Sequence, residues 1–371
     1  MKGLIDSTLR EGSQTFGLTL SLAQKKDIFS GLCSVEIEEI EVGLATPMDK
    51  DLPQIMGFCR THDKGRRLAL WCRCRREDIA FAHSLKPDVL SLSIPVSDIH
   101  IEKKLGRDRD WVAMAANSSI RMAQQLGYKL VSLGLEDATR ADQGFLKKIV
   151  KEAIASGVNR IRIADTVGIA NPIEFAGLVE TIKSLGPVEV GVHAHNDFGM
   201  ATANSLAALD AGGDWADVTV LGLGERAGNA RLEELASYLT LQRKKRYKLG
   251  ALKELAIKVG HMSGRDIEHH SPIIGQKIFH CETGLHLQGL KKDPATYEPF
   301  SPDIVGATRK LHYGSKIGRK EVLKCLGNMK KHSANINVDE IVLSVRREAE
   351  VIGRPFQGQE LLALITSFFN G

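Results

Sequence analysis

From residue 1 to about residue 240, short apolar runs alternate with amphipathic stretches. The runs cover residues 4–7, 38–42, 67–72, 89–94, 130–135, 160–164, 188–193 and 217–221. Each is rich in Val, Ile or Leu, the pattern of a strand covered on both faces. Between them lie segments with helical periodicity, at 22–32, 111–126, 145–155, 172–185 and 201–211. Gly127, Gly157, Gly186 and Gly212 fall where these helices should stop. Eight strand–helix units predict an α/β chain whose residues 1–245 form a (β/α)8 TIM barrel, with its active site at the C-terminal strand ends. A doubly wound sheet is the competing reading. It is weakened because no GxGxxG follows the first strand, and Gly222-Leu223-Gly224 comes late and lacks the third glycine.

After about residue 245 the pattern changes. Residues 246–371 read as a mainly helical appendage: helical at 251–260, irregular over 261–318, then helical at 319–331, 338–350 and near 358–369. This segment carries His261, His269, His270, His280, His286, His312 and His332 of the chain's 12 histidines.

Composition is that of an ordinary globular chain of 371 residues, 43% hydrophobic and 26% charged, so a substantial core is expected. The net charge of +5 is mild, and the basic run Arg243-Lys244-Lys245-Arg246 reads as a solvated helix end. With 5% aromatic residues, the chain offers little base-stacking surface, so no nucleic-acid partner is expected. No apolar run approaches the roughly 20 residues that span a membrane, and Met1–Asp6 has no signal-peptide core, so neither membrane nor export is expected. Cys33, Cys59, Cys72, Cys74, Cys281 and Cys325 show no CxxC spacing and read as reduced thiols in a cytoplasmic protein.

Polar residues gather at the predicted strand ends. Strand one ends in Asp6-Ser7-Thr8-Leu9-Arg10-Glu11-Gly12, strand five in Gly134-Leu135-Glu136-Asp137, and strand six in Asp165-Thr166-Val167-Gly168. Strand seven ends in His193-Ala194-His195-Asn196-Asp197, and strand eight in Gly224-Glu225-Arg226-Ala227-Gly228-Asn229. Residues two apart on a strand point the same way, so the two imidazoles project together as half of a divalent metal site. Asp165-Thr166 can also be read as merely shaping a turn. Two imidazoles and one carboxylate leave open positions on a divalent ion. A 2-oxo acid can fill them, and the ion polarises its carbonyl.

Three of these motifs resemble those of the isopropylmalate, homocitrate and citramalate synthases, barrel metalloenzymes of Claisen-type condensation related more distantly to hydroxymethylglutaryl-CoA lyase. They are the Asp6–Gly12 block, the His193–Asp197 block continuing through Gly199-Met200-Ala201, and the Gly224–Asn229 block. The likeness covers essentially the whole chain. It is strongest to the nitrogen-fixation type of homocitrate synthase, through Pro95-Val96-Ser97-Asp98, Glu136–Asp142 and Gly222–Ala230. At 371 residues, the chain is not expected to carry the regulatory domain common in the isopropylmalate branch.

The resemblance implies a metal held by Glu11, His193, His195 and Asn229, with Glu11 standing where many members have Asp. It implies an Arg10 that contacts the oxo acid and stabilises the oxyanion, a substrate-contacting Thr166, and Glu225 among the catalytic residues. It also implies that His286, within Thr283-Gly284-Leu285-His286, works with Tyr297 in the active site of a neighbouring subunit, removing a proton from acetyl-CoA in a homodimer. The metal is left open among Mg, Mn, Zn and Fe. The implied activity is condensation of acetyl-CoA with 2-oxoglutarate to homocitrate and CoA, or a related synthase reaction with another 2-oxo acid. A barrel that has lost catalysis and serves as a binding subunit is the third reading.

One departure concerns the far end of the substrate. Homocitrate synthases of lysine biosynthesis read the distal carboxylate partly through an arginine and a serine at the end of strand five, where this chain has Val131-Ser132-Leu133-Gly134-Leu135. Arg73, within Trp71-Cys72-Arg73-Cys74-Arg75, and then His100 are the candidates to replace them.

Overall fold

The computed structural model describes residues 1–328 and 337–368. Eight parallel strands close on themselves in sequence order: β1 (Gly3–Asp6), β2 (Glu39–Leu44), β3 (Arg67–Arg73), β4 (Val89–Pro95), β5 (Leu130–Glu136), β6 (Arg160–Asp165), β7 (Glu189–Ala194) and β8 (Trp215–Val218). β8 pairs with β1 from Trp215↔Gly3 to Val218↔Asp6, which seals the barrel. The outer ring comprises α1 (Leu22–Val35), α2 (Leu52–His62), α3 (Arg76–Leu85), α4 (Arg109–Gln125), α5 (Gln143–Ala155), α6 (Pro172–Lys183), α7 (Ala201–Asp210) and α8 (Leu232–Arg243). Local chemistry sets several helix starts. Ser21 and Asn171 form capping boxes with Gln24 and Glu174, and Asp108 and Asp142 accept from Trp111 N–H and Phe145 N–H.

The barrel is closed as the sequence predicts, but the eighth strand begins and ends earlier than expected. Val220–Gly222 is a tight helical turn with Leu221 at φ 57°, so the chain leaves the sheet before residue 221.

The strand interiors also differ from the apolar reading. On β2 and β6, aliphatic residues face the helices, while Glu39, Glu41, Arg160 and Arg162 are buried as ion pairs. Arg160 forks onto Glu39 at 2.7 and 2.9 Å. The guanidiniums of Arg67 and Arg160 both stack over the Trp215 ring, 4.3 and 4.6 Å from its centroid. The barrel floor is therefore built from stacked aromatic and charge rather than from the usual branched aliphatic layers.

A further helix, α9 (Leu249–Ser263), packs against α1 and α8, so the first compact unit runs from Met1 to Ile267, beyond the expected boundary at 245. The second unit begins at Glu268. It holds a two-stranded parallel sheet, β9 (His280–Cys281) with β10 (Lys310–Leu311), and the helices α10 (Gly284–Lys292), α11 (Arg319–Asn328), α12 (Val338–Ile352) and α13 (Gly358–Ser367). Val322, Leu326, Ile341, Val345, Leu361 and Ile365 form its core. His332, residues 329–331 of one expected helix and residue 369 of another lie outside the described residues. Among the described residues, no helix is long and apolar enough to cross a membrane.

Candidate metal centre

Glu11 stands just past the end of β1, His193 on β7 and His195 immediately after β7. All three are buried, and one ligand atom from each lies within 4.8 Å of the others. His193 Nε2 is 3.3 Å from His195 Nε2 and 3.9 Å from Glu11 Oε2, while His195 Nε2 is 3.8 Å from Glu11 Oε1. The pair expected to project together from one strand end does so. His195 also bridges to Asn229, which brings the loop after β8 to the same point.

Glu11 Oε1, His195 Nδ1 and Asn229 Oδ1 are buried without a hydrogen-bond partner. The Asn229 amide nitrogen donates to the Leu223 carbonyl at 2.9 Å, which leaves its oxygen uncommitted. A buried polar atom left unpaired costs about 1–3 kcal/mol, and a divalent cation held by the trio would satisfy Glu11 Oε1. Burial and the neighbouring His193 push His195 down to about 3, so its ring is neutral and offers a lone pair. Burial works to raise Glu11, but the Arg10 guanidinium beside it outweighs this and keeps the group a carboxylate. The donor set suits Mg, Mn, Fe or Zn.

Gly228 holds the Asn229 loop in shape. Its φ is 90°, and a Cβ there would lie 1.9 Å from the Gly222 carbonyl oxygen. On the outer side of the loop, Arg226 forks onto Asp197 at 2.9 and 3.0 Å and donates to the Thr166 carbonyl at 2.7 Å.

The trio opens into a cavity of about 350 Å³ at the C-terminal ends of the strands, lined also by Arg10, Thr166, His100 and Glu225. Thr166 Oγ accepts from the Asp137 N–H at 2.8 Å and keeps its own proton to donate. Asp165 takes the structural part in that motif: its carboxylate accepts from Ile169 N–H, Ala170 N–H and the Thr139 hydroxyl.

The metal side of the cavity is built from β7, β8 and β1; the opposite wall comes from β4 and β5. There a π-helical turn, His100–Leu105, brings His100 and Lys104 onto one face. Both meet Glu136, with His100 Nδ1 at 2.9 Å. Arg140 is committed to Asp137, with bonds of 2.7 to 3.0 Å.

Arg73 is not brought to this cavity. It forks onto Asp78 in the first turn of α3, at 2.7 and 3.0 Å, while Trp71, two residues earlier, forms the wall. An aspartate five positions on, at the start of the next helix, is a closer partner for a strand-end arginine than a ligand across the mouth. Sequence reasoning missed Lys104, Trp71, Arg162 and Glu41. For the last two the signal was present, as charged residues recurring every second position inside otherwise apolar strands.

His286 and Tyr297 belong to the second unit, where their ring centroids lie 4.1 Å apart with planes 31° from parallel. Gly289, three residues beyond His286 on α10, makes room for this stack. A Cβ there would come within 2.3 Å of the Tyr297 ring.

Residues 3–259 match the HMGL-like family model, and residues 273–352 match the model described as homocitrate synthase post-HMGL domain-like. A homocitrate synthase from Frankia alni is 37% identical over 85% of this chain and 90% of its own length. The 2-isopropylmalate synthase 2 of Caldanaerobacter subterraneus is 34% identical over 97% of this chain and 94% of its own. A Methanosphaerula palustris protein named for (R)-citramalate synthesis is 37% identical over 85% of this chain and 63% of its own. Among solved structures, the HMG-CoA lyase of Bacillus subtilis superposes with a TM-score of 0.65 at 19% identity, over 74% of this chain and 97% of the lyase, a likeness of fold. The chain belongs to the isopropylmalate, homocitrate and citramalate synthase family, metal-dependent enzymes that condense acetyl-CoA with a 2-oxo acid.

Proposed function

We propose that this enzyme condenses acetyl-CoA with 2-oxoglutarate and water to give homocitrate and free CoA. The observation that carries the choice of acid is the wall facing the trio. A 2-oxo acid held through its oxo-acid end beside Glu11, His193 and His195 directs its far end toward β4 and β5, where His100 and Lys104 stand. A second carboxylate needs a cation there. Lys104 has a long stem, more than half exposed, and can move from Glu136 to a ligand.

Glu11, His193, His195 and Asn229 would hold the divalent cation, which supplies Lewis-acid polarisation of the keto group. Arg10 donates to the oxygen that gains charge, and the Thr166 hydroxyl donates to the acid's near carboxylate. We assign removal of the acetyl-CoA methyl proton to His286, positioned by Tyr297. The histidines that line the barrel cavity are otherwise committed, His100 to Glu136 and the other two to the trio. His286 is exposed and stacked, and on this reading it enters the site of a second subunit in a homodimer. Phe16, Met48 and Phe198, on the loops after β1, β2 and β7, are exposed apolar residues at the same end of the barrel that such a partner would cover. Glu225 faces the same cavity and serves as the proton carrier for hydrolysis of the thioester. Six unpaired cysteines support a cytoplasmic setting.

The test is thiol release from acetyl-CoA by metal-reloaded protein with 2-oxoglutarate, pyruvate, 2-oxoisovalerate and oxaloacetate. The highest kcat/KM is expected with 2-oxoglutarate. Release with another acid alone would reassign the substrate, and no metal-dependent release with any acid would end the proposal.

A further inference from the structure

Beneath the trio, six buried groups close into a ring. Arg10 donates to Glu11 and, from Nε, to Glu41 Oε2 at 2.6 Å. The Ser7 hydroxyl donates to the same oxygen at 2.9 Å. Arg162 Nη1 donates to Glu41 Oε1 at 2.7 Å and to the Ser91 hydroxyl at 3.1 Å, and its Nη2 donates to Asp217. Asp217 Oδ2 lies 2.7 Å from His193 Nδ1, and His193 Nε2 faces Glu11. The members come from the loop after β1 and from β2, β6, β7 and β8, and none is more than 8% exposed.

The ring has two arms. Through Glu41 and Arg10 it fixes Glu11; through Asp217 it fixes His193. Arg162 is the residue common to both. The Asp217 carboxylate is acceptor-only, so it selects the His193 tautomer with hydrogen on Nδ1 and a lone pair on Nε2, the atom that faces Glu11 and His195.

We propose that Asp217 and Arg162 are positioning residues for the metal centre: Asp217 fixes the ring and tautomer of His193, and Arg162 ties that arm to the one carrying Glu11. The proposal rests on the trio being a metal site, as read above. It adds that two residues from β6 and β8, outside the ligand set, determine how well the site forms before any metal arrives.

The experiment is Mn2+ titration of the full-length, metal-free protein, with free Mn2+ followed by electron paramagnetic resonance. Asp217→Ala should weaken Mn2+ roughly 10- to 100-fold. Asp217→Asn should recover most of the affinity, because one side-chain oxygen can still accept from both Arg162 and His193. Unchanged affinity in folded Asp217→Ala, or no recovery in Asp217→Asn, overturns the proposal. Should the alanine variant not fold, the wild-type protein still decides. In 15N-histidine-labelled metal-free protein at pH 8, His193 should be protonated on Nδ1 alone, and protonation on Nε2 would refute the role of Asp217. Wild-type protein that binds no divalent cation would instead refute the metal-site reading, so the two failures are distinguishable.

Discussion

Glu233 lies in the first turn of α8, fully buried, and accepts from the Leu221 N–H at 2.9 Å. It thereby anchors the turn with Leu221 in the left-handed region, at the root of the loop that presents Asn229. Its second oxygen has no partner. Burial pushes the carboxyl up from 4.5 to about 7. In the unfolded chain Glu233 releases its proton near 4.5, whereas the folded chain keeps it to about 7. Between those values the native state binds more protons, so its stability falls as pH rises and the full penalty is reached above 7. A displacement of that size corresponds to about 3 kcal/mol. Glu233→Gln keeps the acceptor and cannot ionise. The variant should therefore gain about 3 kcal/mol on wild type between pH 4 and pH 8. Urea unfolding at the two pH values, followed by tryptophan fluorescence, reads the barrel alone, because Trp71, Trp111 and Trp215 all lie in the first unit. A variant-minus-wild-type difference that stays constant with pH, or moves the other way, would refute the reasoning.

Further outcomes follow from the site. His195→Ala should abolish most CoA release, and a chelator should do the same to wild type reversibly; near-normal kcat in the variant would remove His195 from the site. Arg73→Ala should leave KM for 2-oxoglutarate within about twofold, since its fork is spent on Asp78, whereas Lys104→Ala should raise that KM about tenfold, as loss of about 1.4 kcal/mol implies, and change pyruvate little. Equal effects of Lys104→Ala on both acids would exclude a distal-carboxylate role. Gly289→Ala should displace Tyr297 from His286, lowering kcat while Mn2+ affinity stays unchanged, which separates the second unit's part from that of the barrel.

The barrel was legible because strands covered on both faces leave apolar runs at regular spacing, and glycines mark the helix ends. His193 and His195 were legible as a pair because they share a strand end, whereas Glu11 was singled out among several strand-end carboxylates by the family resemblance. The lining of the far wall was not. Arg73 and Lys104 look alike in sequence as cations after strands; only the three-dimensional partner distinguishes them, Asp78 for one and a shared Glu136 for the other. The eighth strand was misplaced because Val220 and Leu221 are as apolar as strand residues, yet Glu233, twelve positions on, captures the Leu221 N–H and bends the chain.

The charged barrel interior has a consequence for how the fold is reached. Arg160 and Arg162 find their carboxylates on β2, 121 residues earlier in the chain. A half-barrel of β1 to β4 would keep Arg67 beside Glu39 and Arg10 beside Glu41 but lack the β6 arginines, and one of β5 to β8 would keep Asp217 beside Arg162 but lack both β2 carboxylates. Each half thus lacks buried ion pairs that only the other supplies, which couples closure of the two, and cutting the chain between β4 and β5 should give two fragments that gain their full stability only together.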